Sequence, residues 1–217
     1  MNKGLTVGRT GPTKSASRAP SVNSKQQEVL DVASEYFLTH GYQGASINAM
    51  ARSSGISKES IYRYFGSKKE LFEAVIDREL GEYQETLRGI DGTSAHLSLR
   101  EALLSVAEAI LGLITTDRTL ALRRLIFDEA TRSPDLGQHY YKIGPERAYR
   151  KLELLFKSHR VDSAFEHRVL SRHFVSLISY RTMMERECRV MEQPSAERIR
   201  ELMEFVVDDF TQSFLRL

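Results

Sequence analysis

Apolar residues recur along this chain with the period of an α-helix from Ser24 onward, and no stretch has the strict alternation of a β-strand. In the first segment Leu30, Ala33 and Phe37 share one helical face, and Gly41 follows as a stop signal. The same spacing continues almost to the last residue. The pattern therefore predicts an all-α fold of about nine helices.

Two short helices follow the first one. The second begins at Ser46 and ends near Arg52, because Gly55 supplies the positive φ that a tight turn requires. The third begins at Ser57, whose hydroxyl can accept a hydrogen bond from a free N–H of the first turn, and it ends by Gly66. A short helix, a glycine-containing turn and a second short helix indicate a helix-turn-helix, in which the second member lies in the major groove of DNA.

The third helix has an apolar face and a polar face. Ile61 and Phe65 lie four residues apart and turn toward the core, which leaves Lys58, Glu59, Tyr62 and Arg63 on the exposed side. A fourth helix begins at Ser67, with Glu70 placed as in a capping box, and carries Lys68 and Lys69 beside its N-terminus. Lysines and tyrosine hydroxyls at these positions are suited to phosphate contacts.

Five further helices are predicted beyond residue 90. They run near 98–114, 117–132, 134–158, 162–189 and 195–216, and the third of these is interrupted at Gly144-Pro145.

The composition is that of a globular protein of 217 residues, with 41% hydrophobic and 28% charged residues. No apolar run is long enough for a membrane span and the N-terminus lacks a secretory signal, so we expect a cytoplasmic protein without a membrane partner. The single cysteine, Cys188, can form neither an internal disulfide nor a cysteine-based metal site.

Positive charge is concentrated in two places. The tail of residues 1–23 contains Lys3, Arg9, Lys14 and Arg18 without an acidic residue, and the stretch 52–69 contains five basic residues against Glu59 alone. The tail is also rich in Gly, Ser, Thr and Pro, which predicts disorder. A solvated leader is the favoured interpretation, and an arm that follows DNA remains open.

Residues 24–75 resemble the DNA-binding domain of the TetR family of bacterial transcriptional regulators. The residues that carry the resemblance are "FLTHGYQGASINAMARSSGISKESIYRYFGSKKELF". The resemblance implies a set of DNA contacts on the second, third and fourth helices: Ser46, Asn48, Lys58, Ser60, Tyr62, Arg63, Tyr64 and Lys68.

The chain departs from the family pattern at two positions of this segment. Ala45 stands where a threonine is common, and Glu59 stands where a small residue is usual. The carboxylate of Glu59 can accept a hydrogen bond from a cytosine N4 amine, or it can pair with Arg63 one helical turn away. Both interpretations are open at this point.

The second half of the chain resembles the C-terminal domains of AefR-like members of the family, through "LIFDEATRSPDLGQHYY" and "GPERAYRKL". The resemblance implies a dimer whose last two helices pair into a four-helix bundle. An apolar stripe on the final helix would form this interface: Ile199, Leu202, Met203, Val206, Phe210 and Phe214. The alternative is that the stripe belongs to the core of the chain itself.

The resemblance also implies a small-molecule pocket among the middle helices. Its candidate lining is mostly apolar with a few polar groups: Phe127, Tyr140, Tyr141, His173, Phe174, Tyr180, Met183 and Met184. Taken one at a time, each of these residues is more often part of a core than of a pocket.

Other functions have little support in the sequence. His167 and His173 are six residues apart and lack the spacing of helical metal ligands, so no metal and no cofactor are predicted. An enzyme is the rival class, but the acidic pairs at 128–129 and 208–209 are typical of solvated helix faces. A redox sensor acting through Cys188 would require an exposed, reactive thiol.

The sequence thus predicts three regions: a basic arm (1–23), a DNA-binding domain (24–75) and a helical domain for ligand binding and dimerisation (76–217). The function expected is that of a dimeric regulator, most often a repressor, which binds a palindromic operator and releases it when a small molecule binds. Whether such a protein represses or activates depends on where its operator lies.

Overall fold

The structure is a computed structural model that describes residues 22–93 and 97–216. These residues form eleven α-helices, and the only extended pairing among them is an isolated bridge between Asp162 and Arg216. In chain order the helices are α1 (Val22–Gly44), α2 (Ile47–Ser54), α3 (Lys58–Phe65), α4 (Lys68–Glu79), α5 (Gly81–Thr93), α6 (Leu99–Ile114), α7 (Asp117–Ala130), α8 (Pro134–Ile143), α9 (Pro145–Ser158), α10 (His167–Glu187) and α11 (Ala196–Phe214). The all-α prediction is confirmed.

The helices outnumber the prediction because two long segments are each divided. The predicted fourth helix breaks at Leu80, so that α5 begins at Gly81. The segment 134–158 breaks at Gly144, because Pro145 lacks the N–H that a continuous helix would use. The predicted basic arm lies outside the described residues, except that Val22 and Asn23 belong to the start of α1.

Serine caps and glycine turns define the helix-turn-helix as predicted. The Ser57 hydroxyl accepts a hydrogen bond from the N–H of Ser60 (3.1 Å), and Gly55 has a φ of 73°. The Ser67 hydroxyl accepts from the N–H of Glu70 (3.1 Å), but the N–H of Ser67 donates to a main-chain carbonyl and not to the Glu70 carboxylate. The cap at Ser67 therefore forms without the second half of the capping box.

The N-terminal helices pack around a small aromatic core. Phe37 of α1 and Phe72 of α4 are fully buried, with ring centroids 4.8 Å apart. Gly41 interrupts α1 with a φ of 72°, which lets the chain turn so that Tyr42 reaches the same cluster, 5.0 Å from Phe72. This core fixes the position of α4, the helix that directly follows α3.

The core of the second half corrects the predicted dimer interface. Phe210 is fully buried, and its ring lies 6.0 Å from Phe156 and 5.1 Å from Phe174. Met203 and Val206 are also buried within the chain. The remaining members of the stripe, Ile199, Leu202 and Phe214, are partly buried and pack on the same core. The stripe is thus internal, because α11 presents it to α6 and α10 and leaves little of it for a second copy.

Candidate nucleic-acid interface and a cavity

The third helix presents a polar face to solvent. Ile61 and Phe65 are buried, as predicted, and they anchor α3 to the N-terminal core. The opposite face exposes Lys58, Glu59, Tyr62 and Arg63. A short helix with a buried apolar side and a basic, hydroxyl-bearing outer side has the form that enters a major groove.

Aromatic rings hold the basic side chains of α3 in place. The Lys58 ammonium lies 5.7 Å from the centre of the Tyr62 ring, and the Arg63 guanidinium lies 5.0 Å from the centre of the Tyr64 ring. Arg63 also donates a hydrogen bond to the Tyr64 hydroxyl (3.3 Å). Because Arg63 is turned toward Tyr64, the predicted pairing of Glu59 with Arg63 is not formed in the described part of the chain.

The remaining predicted contacts lie at helix starts. Ser46 is exposed as the N-cap of α2 and makes no capping hydrogen bond, and Asn48 is exposed in the same turn. The Ser60 hydroxyl accepts a hydrogen bond from the hydroxyl of Ser57 (2.9 Å). The structure therefore leaves the polar groups of Ser46 and Asn48 facing solvent beside α3.

Lys68 and Lys69 differ in their surroundings. The Lys68 ammonium lies 4.5 Å from the centre of the Tyr42 ring. Burial lowers the pKa of Lys68, and the carboxylate of Glu129 opposes that effect. Lys69 instead pairs with Asp135 of α8. The charge of Lys69 is thus neutralised within the chain, whereas that of Lys68 is held by an aromatic face and can meet an anion.

A cavity of about 300 Å³ lies among the helices of the second half. Its apolar wall includes Leu80, Ile110, Leu113, Ile114, Val175 and Met183, and its polar groups come from Tyr83, Tyr140, Tyr141, Tyr149, Ser179 and Arg123. Gly144 and Pro145 also line it, so the break between α8 and α9 forms part of the wall. An apolar cavity with a few converging polar groups is the usual form of a small-molecule site.

Four of the predicted ligand residues line this cavity: Phe127, Tyr140, Tyr141 and Met183. The other four lie elsewhere, which corrects the prediction. Phe174 is buried against Phe210 in the core, and His173 packs against Phe165 and Phe214 near the chain's C-terminal end. Tyr180 and Met184 are 66% and 45% exposed on the outer face of α10.

The phenols of the cavity are held in their neutral form. Burial raises the pKa of Tyr83 far above its ordinary value, and it raises the pKa of Tyr140 and of Tyr149 in the same direction. These three hydroxyls therefore stay protonated, and that of Tyr83 donates to the carbonyl of Gly144 (3.5 Å). Sequence reasoning did not assign Tyr83 or Tyr149 to the cavity, because only the folding of α5 against α9 and α6 brings them to one wall.

Of the described residues that line the cavity, Arg123 alone is charged. Its side chain is 12% exposed, and it donates to the carboxylate of Glu187 (2.5 Å), which Arg124 also contacts. The Arg123 guanidinium lies 5.1 Å from the centre of the Phe127 ring. The buried Nε of Arg123 has no hydrogen-bond partner in the described residues.

Each of the last two helices carries exposed apolar side chains. Leu177, Tyr180 and Met184 follow one another along α10, and Phe205 of α11 is 69% exposed. We name these four residues the outer apolar face. Large apolar groups grouped on the surface mark a surface for association.

Three further observations concern Cys188, metal binding and membrane-spanning helices. Cys188 is exposed at the C-terminal cap of α10, and it is the chain's only cysteine. Among residues 22–93 and 97–216, no cluster of His, Cys, Asp and Glu side chains could hold a metal ion. Within the same ranges no helix has the length and apolar character needed to cross a membrane.

Curated relatives of this chain are transcriptional regulators. Over 66 residues it is 36% identical to the HTH-type transcriptional repressor AcnR of Corynebacterium efficiens, which covers 30% of this chain and 35% of that protein. Over 107 residues it is 30% identical to the HTH-type transcriptional activator FasR of Mycolicibacterium smegmatis, covering 49% of this chain and 48% of that protein. The chain thus spans half or less of the length of these relatives.

Solved structures match over a larger part of the chain. The flavonoid-responsive regulator FrrA superposes with a TM-score of 0.73 at 27% identity, over 89% of this chain and 98% of that one. A TetR-family regulator from Mesorhizobium loti superposes with a TM-score of 0.75 at 21% identity, over 91% of this chain and all of the other, and shows a shared fold.

Family matches cover both halves of the chain. Residues 29–75 match the bacterial regulatory proteins of the tetR family, and residues 101–215 match the AefR-like transcriptional repressor C-terminal domain. The second match alone covers more than half of the chain. The chain therefore belongs to the TetR family, and both matched models describe families of transcriptional regulators and not of enzymes.

Proposed function

We propose that this regulator is a repressor, that it binds a palindromic operator as a homodimer, and that it releases DNA when a small molecule enters the cavity. One observation carries the proposal. Leu80 lines the cavity and directly follows α4, whose other end directly follows the exposed helix α3. A ligand that favours one packing around Leu80 therefore acts on the helix that supports α3.

Helix α8 supplies a second connection between the cavity and α4. Tyr140 and Tyr141 of this helix line the cavity. On another side of the same helix, Asp135 pairs with Lys69 and His139 lies 2.9 Å from Asp77, both on α4. A ligand that shifts α8 would thus move α4 through two polar contacts, and its effect is limited by its difference in affinity for the two arrangements.

The outer apolar face supports the homodimer. Two recognition helices must reach successive major grooves about 34 Å apart, which requires a fixed pair of subunits. Leu177, Tyr180 and Phe205 lie on the last two helices, where their exposure leaves apolar area for a second copy to cover. This arrangement keeps the predicted pairing of the last two helices but uses residues other than the predicted stripe.

The decisive experiment is a selection of genomic fragments with the purified full-length protein, followed by fluorescence anisotropy on the selected site. We expect an inverted repeat that is bound about 1,000-fold or more tightly than random DNA, with steep salt dependence. Equal affinity for selected and random fragments would contradict specific repression. A Cys188→Ser variant that still releases DNA would separate ligand sensing from redox sensing.

A further inference from the structure

The residues that line the cavity favour a ligand of one charge. Among the residues that the structure describes, Arg123 is the only charged one that lines the cavity, and none of them brings a carboxylate to it. Arg123 and Arg124 share a single carboxylate, Glu187, so this cluster keeps one uncompensated positive charge. A cation that entered the cavity would be repelled by that charge, whereas an anion would neutralise it.

The hydrogen-bond donors of Arg123 also favour an anionic ligand. A guanidinium has five N–H donors, and a buried donor without an acceptor is costly. The Nε of Arg123 is buried and has no partner among the described residues. Because Nε is shielded, an incoming oxygen reaches it only when a neighbouring side chain moves. Phe127 lies over the guanidinium and is 52% exposed, so a shift of its ring is the movement that would admit the oxygen.

The remaining wall favours a flat, aromatic body. Tyr140 lies edge-on to Phe127 at 6.1 Å between ring centroids, and Tyr149 lies 6.5 Å from Tyr141. Such rings prefer stacked or edge-to-face contact with another ring. A volume of about 300 Å³ fits a compact molecule of one to three rings.

We propose that the effector is an aromatic acid whose anionic oxygen accepts a hydrogen bond from Arg123, with its rings held among Phe127, Tyr140 and Tyr149. The inference rests on the proposed function for its regulatory meaning. Its binding step, however, needs no operator, and it is tested on the free protein. Arg123 in this view both selects the charge of the effector and orients it in the cavity.

The test uses shape-matched probes on three scaffolds, naphthalene, biphenyl and cinnamyl, each as carboxylate, neutral amide and amine. Affinities are measured by calorimetry and by thermal shift of the full chain without DNA, since a ligand that binds the folded state raises its stability. We expect the carboxylate to bind best on every scaffold that binds, by about 10-fold or more over the amide. Binding of an amine as tight as that of its carboxylate, or no carboxylate binding at millimolar concentration, would overturn the proposal.

Matched variants identify the anchor. Arg123→Gln should weaken the carboxylates about 10- to 100-fold and leave the amides within about threefold. Arg124→Gln is the comparison variant: it removes the extra charge of the cluster but does not line the cavity, so it should weaken the carboxylates less than Arg123→Gln does and leave the amides nearly unchanged. Arg123→Lys keeps the charge, so it should retain part of the preference if Arg123→Gln proves unstable. Equal losses for Arg123→Gln and Arg124→Gln would reduce the effect to general destabilisation and overturn the assignment.

Release of operator DNA by the same carboxylates is a separate measurement, whose failure alone would count against the proposed function and not against the ligand class.

Discussion

The guanidinium of Arg118, in the first turn of α7, donates from Nε to Oε2 of Glu79, the last residue of α4, across 2.6 Å. Arg118 also donates to the hydroxyl of Ser34 (2.6 Å) and to Glu35 (2.5 Å), both on α1. One side chain of α7 thereby holds α1 and α4 together.

Glu79→Gln should destabilise the protein in a pH-dependent way. Burial by itself raises the pKa of Glu79, but hydrogen bonds from Arg118, Ser34 and Arg78 outweigh it and lower the pKa to about 2. Because the folded pKa lies below the ordinary value of 4.5, the carboxylate stabilises the fold fully above that value and loses its contribution as the pH falls toward 2. We expect the free energy of unfolding, measured with urea, to fall by about 1–3 kcal/mol at neutral pH. The difference between the variant and the wild type should become smaller in acid.

The control for this variant is Glu85→Gln. Glu85 pairs with Arg88 on the surface of α5, where an ion pair contributes at most about 1 kcal/mol. A loss that is equal in the two variants, or that stays constant from neutral pH into acid, would contradict a special role for the Glu79 network.

Lys68→Ala should weaken binding to operator and random DNA alike. A phosphate contact adds about 0.9 to the slope of log affinity against log salt, so the slope should fall by about that amount per subunit. Lys69→Ala is the matched control, because the charge of Lys69 is already neutralised by Asp135. Anisotropy titrations over a salt series measure both slopes, and an unchanged slope for Lys68→Ala would mean that this lysine only supports Tyr42.

Glu59→Gln should change which operators are chosen. The carboxylate is exposed on α3 and is not paired with Arg63, so it is free to accept a hydrogen bond from a cytosine N4 amine. Selection from a randomised operator library should reveal a cytosine in each half-site; because the Gln amide can also pair with adenine, the variant should require that cytosine less strictly, by about 1–3 kcal/mol of discrimination. Glu28→Gln, exposed on α1, should leave the selected sequence unchanged. Identical selections by wild type and Glu59→Gln would exclude a base contact.

Charge placed on the outer apolar face should separate the subunits without unfolding them. The double variant Leu177→Glu and Phe205→Glu puts two carboxylates where both side chains are now exposed, so the monomer should remain folded. Val206→Glu buries a charge in the core and should cost several kcal/mol of stability instead, about 3 or more. Sedimentation and circular dichroism distinguish the outcomes, and a double variant that stays dimeric would place the interface elsewhere.

Tyr83→Ala should impair release more than operator binding. Tyr83 lines the cavity and lies three residues beyond Leu80, on the α5 side of the break. Removing its ring enlarges the cavity and weakens the contact between the ligand and the break at Leu80. The concentration of an active aromatic acid that releases half of the DNA should therefore rise about 5-fold or more. Operator titrations with and without that acid compare the two effects. Equal losses in both titrations would assign Tyr83 to folding alone.

Local signals in the sequence were sufficient for the N-terminal half. The serine caps at 57 and 67, the turn at Gly55 and the inward pair of Ile61 and Phe65 all occur as predicted, because each depends on neighbours within a few residues. The capping box was the exception. A complete one forms at Ser98 and Glu101, where the carboxylate reaches the N–H of Ser98 (2.8 Å).

In the second half of the chain, periodicity alone could not determine what packs against each apolar face. An apolar stripe indicates that one face of α11 is covered, but it does not say whether a neighbouring helix or a second copy covers it. Here α6 and α10 do so, and Phe210 lies in the chain's own core. The cavity was only half predicted for the same reason. Arg123 and Tyr149 reach it through contacts between helices far apart in sequence, which leave no local pattern.

The polar contacts across the boundary between the two halves limit how freely such regulators can be recombined. Glu79 meets Arg118, Lys69 meets Asp135, and Gln43 donates to Glu129 (2.7 Å). A hybrid that joins residues up to Leu80 to the C-terminal domain of another regulator would keep its DNA preference. Its side chains at the junction would, however, lack partners of the right charge. The N-terminal helices of this chain can therefore be transferred to another protein only together with the residues of α7 and α8 that contact them. A biosensor built from these helices needs both sets of residues.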